Sequence, residues 1–320
     1  MVRWVAKFSL RMFIMGYVYR WIGRQVVKRM QRKYNLGQQY KQNFTKSHDV
    51  NWKEIKYYAE LAKLIYEKDT NKITEKYPSA YVNVIEKIRF MLITDVTAKT
   101  YTIVIRGTSN FKNAMQDLKF DKDKSTRLGC KLHSGFHKAA ELIFDDLASK
   151  ITNSKYTINV TGHSLGGAEA LIVGAYTAQA KMNLGKIITF GQPKAFDRDG
   201  MAKWGHLPLT RVVNETDIVP LVPPVELVYM FKRYKHFGDM VKLCNDEYYC
   251  FLEQEQARGN GVNSFWLNAA KEGFSMWEMF KEMPDHFMDS YLENINPKIS
   301  GGKEVLWKDR EEYLENKKKK

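Results

Sequence analysis

Cysteine is scarce in this chain, with only Cys130, Cys244 and Cys250 among 320 residues. Three thiols cannot build a disulfide framework, although Cys244 and Cys250 are spaced to close a small loop that would leave Cys130 free. There is no CxxC pair and no Cys/His cluster at ligand spacing, so a zinc site has no support. Long apolar runs are missing too. Met12 to Tyr19, the apolar stretch of the N-terminal region, falls far short of the ~20 residues a membrane-spanning helix requires. No small-residue cleavage site follows it, which argues against a secretory signal peptide.

Acidic residues are absent from one whole region. Between Met1 and His48 there are eleven Lys and Arg and no Asp or Glu, and Lys317 to Lys320 add four more cations. Setting these 15 terminal cations aside leaves 36 Lys and Arg against 36 Asp and Glu, so the net charge of +15 sits at the two ends. A nucleic-acid enzyme carries its basic footprint across the folded domain; charge confined to the termini suits tethering or targeting. In the arm, Arg3, Lys7 and Arg11 recur every four residues, as do Arg20, Arg24 and Lys28. Each set stripes one side of a helix. The expectation is a basic amphipathic helix at residues 1–48 lying on an anionic membrane surface. The competing readings are an ordinary helix packed on the domain and an organelle-targeting peptide. A domain over residues 49–316 and a lysine tail at 317–320 complete the organisation.

Helical spacing of apolar residues recurs over Asn51–Glu67, Ala139–Ile151 and Gly166–Ala180, and over Met276–Asn294 with a break at Pro284. β-type runs occupy Arg89–Thr94, Tyr101–Arg106, Tyr156–Thr161, Ile187–Phe190, Arg211–Asn214 and Met240–Leu243. Strands alternating with helices predict an α/β domain with a mostly parallel central sheet flanked by helices.

The strongest motif is Gly162-His163-Ser164-Leu165-Gly166, followed by Gly167. It stands between a β-type run and a run of small helix-forming residues, the setting of a nucleophile elbow. Ser164 must sit on a sharp strained turn, and Gly162 and Gly166 leave room for strand and helix to approach. A serine hydroxyl is a weak nucleophile, so it needs a base that an acid orients. In this chain order the acid and then the histidine follow the serine. Asp217, in a proline-stiffened loop just past Arg211–Asn214, is the favoured acid over Asp197 and Asp199. For the base, position leaves both His236 and His286 open.

From about Arg89 to Tyr291 the chain resembles the class 3 lipases, the family of fungal triacylglycerol lipases with the α/β-hydrolase fold. The likeness rests on Ile105-Arg106-Gly107-Thr108, Leu132 to Phe136, Thr161 to Ala168, Arg211 to Pro220 with Pro223-Pro224, and Asp285-His286 followed by Tyr291. Lys235 to Gly238 resembles an earlier, non-catalytic block, so the resemblance selects His286 over His236. It further implies that Thr108 and Leu165 supply the oxyanion-hole N–H groups. The segment after Thr108 carries apolar Phe111, Ala114, Met115 and Leu118 at i, i+3, i+4 and i+7, which makes one helix face apolar. In the family the matching segment is a lid; the alternative is a fixed surface helix. The arm before His48 lies outside the resemblance. The implied activity is hydrolysis of lipid esters without metal or cofactor. The alternatives are an esterase for short or soluble acyl esters and a catalytically silent binding module.

Overall fold

The computed structural model describes residues 48–108, 121–215, 217–222, 234–254 and 284–314. The basic arm, the amphipathic segment 111–118, Pro223-Pro224, the lysine tail and the part of the last helical region before Pro284 lie outside the described residues.

Asn51 starts the first helix by accepting the Glu54 N–H at 3.1 Å, which satisfies one of the amide donors that every helix start leaves without an internal partner. Helix α1 (Trp52–Leu64) then buries Trp52, Ile55, Tyr58, Ala59 and Ala62, the stripe its 3.6-residue period predicts. After α2 (Thr70–Lys76) come β1 (Tyr81–Ile85), β2 (Ile88–Asp95) and β3 (Thr100–Ile105), paired antiparallel in sequence. Next along the chain are β4 (Lys122–Ser125), β5 (Cys130–His133), α3 (Ser134–Ala148), β6 (Thr157–His163), α4 (Leu165–Gln179) and β7 (Leu184–Phe190). They are followed by β8 (Phe196–Asp197), α5 (Arg198–Trp204), β9 (Leu209–Asn214), β10 (Tyr234–Lys235), β11 (Asp239–Leu243) and β12 (Tyr248–Leu252), and then by α6 (Met288–Ile295) and β13 (Lys303–Glu304).

The main sheet has the order β1-β2-β3-β6-β7-β9-β11-β12-β13. Its centre, from β3 through β6, β7 and β9 to β11, is parallel throughout, as the alternation of strands and helices predicts. Successive side chains of a strand point to opposite faces, and the two cores follow that rule. Phe90, Leu92, Ile103, Ile105 and Val160 join α3 and α4 on one face. Met91, Ile93, Val104, Phe190 and Val212 join α1 and α6 on the other.

A second sheet, β10-β8-β5-β4, was not expected from the sequence. Its strands are two to four residues long, too short to show a period of two. Helix α3 begins at Ser134 rather than Ala139, and the stretch after Glu247 opens with the strand β12. Cys244, just past β11, and Cys250, on β12, come within 3.7 Å between sulfurs, yet all three cysteines are free thiols, so the small loop is not closed by a bond.

Helix α4 is buried on nearly every side, which explains its run of glycine and alanine: a Cβ on Gly174 would lie 2.3 Å from Ile187 Cδ1. Its single acid, Glu169, is 8% exposed, and its Oε2 has no hydrogen-bond partner among the described residues. Burial pushes this carboxyl up to about 8, from an ordinary 4.5. A raised acid pKa in the folded state means that the unfolded chain releases its proton first. Glu169 therefore costs stability progressively as pH rises from about 4.5 to 8. We expect the wild-type melting temperature to fall between pH 5 and 8, and Glu169→Gln to remove roughly 5 °C of that fall, or about 2 kcal/mol in a domain of this size. Thermal melts of both proteins across that range test it, and parallel profiles would refute it.

Candidate active site

Strand β6 ends at His163 and α4 begins at Leu165, leaving Ser164 alone on the turn with φ 59° and ψ −130°. A side chain in that backbone region costs on the order of 1–3 kcal/mol and persists only where its surroundings over-determine it. They do so here. A Cβ on Gly162 would lie 2.3 Å from Gly166 O, and one on Gly166 would lie 2.4 Å from Ile105 O. Both glycines are therefore required for strand, helix and β3 to meet. Ser164 N–H donates to Phe190 O at 2.8 Å, fixing the turn to β7.

Ser164, Asp217 and His286 arrive from three separate segments and meet in one line. His286 Nε2 lies 2.9 Å from Ser164 Oγ, and His286 Nδ1 lies 2.9 Å from Asp217 Oδ2. All three side chains are buried. Asp217 also accepts the Tyr291 hydroxyl at 2.6 Å on Oδ2 and the Val219 N–H at 2.9 Å on Oδ1. Burial alone would raise its pKa. The attraction and hydrogen bond of His286, with the donors Tyr291 and Val219, outweigh that and hold it below the usual carboxylate value. Asp217 is thus an anion at neutral pH, and an anion only accepts. Nδ1 of His286 must then carry the ring proton, which turns the Nε2 lone pair toward the serine hydroxyl.

The rejected candidates have structural work elsewhere. His236 Nε2 donates to Pro220 O at 2.6 Å and so braces the loop that follows Asp217. Asp197 caps α5 by accepting the Gly200 N–H at 2.9 Å and faces Lys122 at 3.7 Å, while Asp199 is exposed. Leu165 is the first residue of α4, so its N–H has no acceptor within the helix. Gly107 packs against Ser164, since a Cβ there would lie 3.0 Å from Ser164 Cβ. Thr108 is the next residue along the chain. Phe111, Ala114, Met115 and Leu118 lie outside the described residues.

Three positions escaped the sequence reading. Gly191, just past β7, has φ +57°, and a Cβ on it would lie 2.8 Å from Asp217 Oδ2 and 3.0 Å from His286 Cε1. It is the floor under the Asp217–His286 pair; a glycine directly after a strand was its one visible signal. Tyr66 OH lies 2.9 Å from His163 Nδ1, and His163 Nε2 donates to His286 O at 2.7 Å. Asn214 donates to Asp285 O at 3.1 Å and accepts from Asn294 at 2.8 Å, tying the Asp217 loop to α6. Nothing local in the sequence marks Tyr66 or Asn214. Among the described residues no group of His, Cys, Asp or Glu could hold a metal ion, and no helix is long and apolar enough to cross a membrane.

Residues 102–227 match the family model of class 3 lipases. The lipase of Rhizopus niveus is 34% identical over 142 residues, a match covering 39% of this chain and 35% of that relative. The chain thus spans about a third of the length of that curated relative. The solved propeptide complex of Rhizomucor miehei lipase superposes with a TM-score of 0.52 at 26% identity, covering 62% of this chain and 70% of that one. A triacylglycerol lipase whose catalytic centre is a serine-protease triad superposes with a TM-score of 0.53 at 25% identity, covering 62% and 83%. The architecture described above is accordingly the α/β-hydrolase fold of these lipases.

Gly191→Ala offers a direct check on the assembly. The added methyl must displace Asp217 or His286, and a misplacement of ~1 Å costs on the order of 100-fold in rate. Labelling of Ser164 by a fluorophosphonate should slow by about that factor, with the melting temperature lowered as well. Labelling at the wild-type rate would show that the floor has slack.

Proposed function

We propose that the chain, whose residues 102–227 match the family model of class 3 lipases, is a lipase of that family and hydrolyses the carboxylic esters of glycerolipids through an acyl-enzyme on Ser164. The observation that carries this reading is the continuous Asp217–His286–Ser164 line, with 2.9 Å at each contact. As Ser164 Oγ bonds to the ester carbonyl carbon, its proton passes to His286 Nε2. Asp217, still an anion, stabilises the imidazolium without taking the proton. The carbonyl oxygen becomes an oxyanion received by the N–H groups of Leu165 and Thr108. Each such donor is worth about 3 kcal/mol at the transition state. Collapse breaks the bond to the alcohol, which leaves with the proton from Nε2. Water then gives one proton to Nε2 and its hydroxyl to the acyl carbon; the acid departs and the proton returns to Ser164.

The choice of lipid over soluble esters is supported by the relatives, which are lipases. In this reading the segment bearing Phe111, Ala114, Met115 and Leu118 is the lid over Ser164, and its amphipathic spacing is the support. The acid-free arm at residues 1–48 holds the enzyme on an anionic membrane surface, supported by its charge pattern.

The test is hydrolysis of p-nitrophenyl butyrate and palmitate, with and without phosphatidylserine-containing vesicles. Ser164→Ala should lower turnover of both by at least about 10⁴-fold. Vesicles should raise palmitate turnover several-fold in the wild type, and less in a variant carrying Arg20→Gln, Arg24→Gln and Lys28→Gln. Turnover of butyrate alone would make the protein a short-chain esterase. Folded protein inert toward both esters would favour a binding module.

A further inference from the structure

The Tyr66 hydroxyl touches two of the segments that build the site. Tyr66 lies just beyond the C-terminal end of α1, with its N–H donating to Lys63 O at 3.0 Å. Its phenol oxygen receives the backbone N–H of Gly107 and lies 2.9 Å from His163 Nδ1. The other nitrogen of His163 lies 2.7 Å from the carbonyl of His286.

The directions of these bonds follow from elementary chemistry. A carbonyl only accepts, so His163 Nε2 carries the proton and donates to His286 O. A neutral imidazole then has a bare Nδ1, which must accept from Tyr66. The phenol, having donated its proton, accepts from Gly107. The series Gly107 N–H to Tyr66, Tyr66 O–H to His163, and His163 N–H to His286 runs in one direction, and bonds in such a chain polarise one another. The three backbone points it joins are the residue before Thr108, the residue before Ser164, and His286 itself.

His163 is a spacer in this chain rather than a second base. It is 5% exposed, and its ring lies 4.6 Å from that of His286, centroid to centroid. Burial, and then the neighbouring His286, push its pKa down to about 3, against a smaller opposing pull from Asp217. Tyr66 is held protonated, its pKa raised by burial and by Glu169, with Arg106 and the Gly107 N–H opposing. Neither group changes charge near neutral pH, so the chain stays intact while a proton moves on and off His286.

We propose that Tyr66 is a positioning residue which, through neutral His163, holds the oxyanion loop, the nucleophile and the base in register. The proposal rests on the reading of Ser164, His286 and Asp217 as the catalytic set.

The experiment compares wild type, Tyr66→Phe, His163→Leu, His163→Gln, the double variant Tyr66→Phe/His163→Leu, and Ser164→Ala. For each, kcat and KM on p-nitrophenyl butyrate are measured, together with the first-order rate of phosphonylation of the titrated folded fraction. Tyr66→Phe should lower kcat and the per-site phosphonylation rate by about 10-fold, the scale of one buried hydrogen bond, with KM within about twofold. His163→Gln, which keeps a donor that can face the His286 carbonyl, should recover part of the loss seen in His163→Leu. The double variant should be little worse than His163→Leu alone, because the two residues form one chain. A per-site rate in Tyr66→Phe equal to wild type, or losses that multiply in the double variant, would overturn the proposal. If Tyr66→Phe does not fold, the contrast between His163→Gln and His163→Leu decides: equal per-site rates would overturn it. Ser164→Ala separates the two levels of inference. If it is inert while Tyr66→Phe matches wild type, only the positioning role fails; if it stays active, the catalytic reading itself fails.

Discussion

Everything at this site depends on the turn at Ser164. A non-glycine residue with φ 59° is held there because β6, α4 and β3 approach so closely that the backbone has no other course. Gly162 and Gly166 make that approach feasible, and the apolar, small-residue surface of α4 keeps it closed. The strain is local and the restraint is distributed over two hydrophobic cores, so the cost is borne by packing well away from the serine. Relaxing the turn would swing Oγ away from His286.

The second constraint is electrostatic. Asp217 is buried, and a buried carboxylate survives as an anion only when donors surround it. His286, Tyr291 and Val219 supply them. The resulting anion sets the tautomer of His286 and so decides which nitrogen faces the serine. Glu169, on the helix that follows Ser164, shows the contrast. Its Oε2 has no hydrogen-bond partner among the described residues and burial raises its pKa, so a carboxyl of similar burial is neutral where Asp217 is charged. Placement of donors, rather than residue type, separates the two.

Much of this was legible in the chain itself. The elbow could be read because its demands are local: a strand, a serine between two glycines, and a helix of small residues occur within about twenty positions. The central strands were readable because they carry sustained apolar runs, whereas β4, β5, β8 and β10 are too short to show a period. Asp217 was favoured by its place after a strand in a stiff loop. His236 and His286 were not separable by position, and the resemblance to a family had to choose between them.

The sequence by itself determined the serine turn between strand and helix, the class of fold and the uneven placement of charge, because each is encoded in adjacent residues or in simple periodicity. Only the tertiary structure showed that His286, the histidine the resemblance selected, reaches the serine, why Gly191 has no side chain, and what Tyr66 and Asn214 touch. His286 lies 122 positions from Ser164, and Tyr66 lies 97 positions from His163. Contacts at such separations are set by how the sheet orders its strands and by which helix covers which face. That information belongs to the packing of the whole domain and leaves no pattern in any one stretch of the chain.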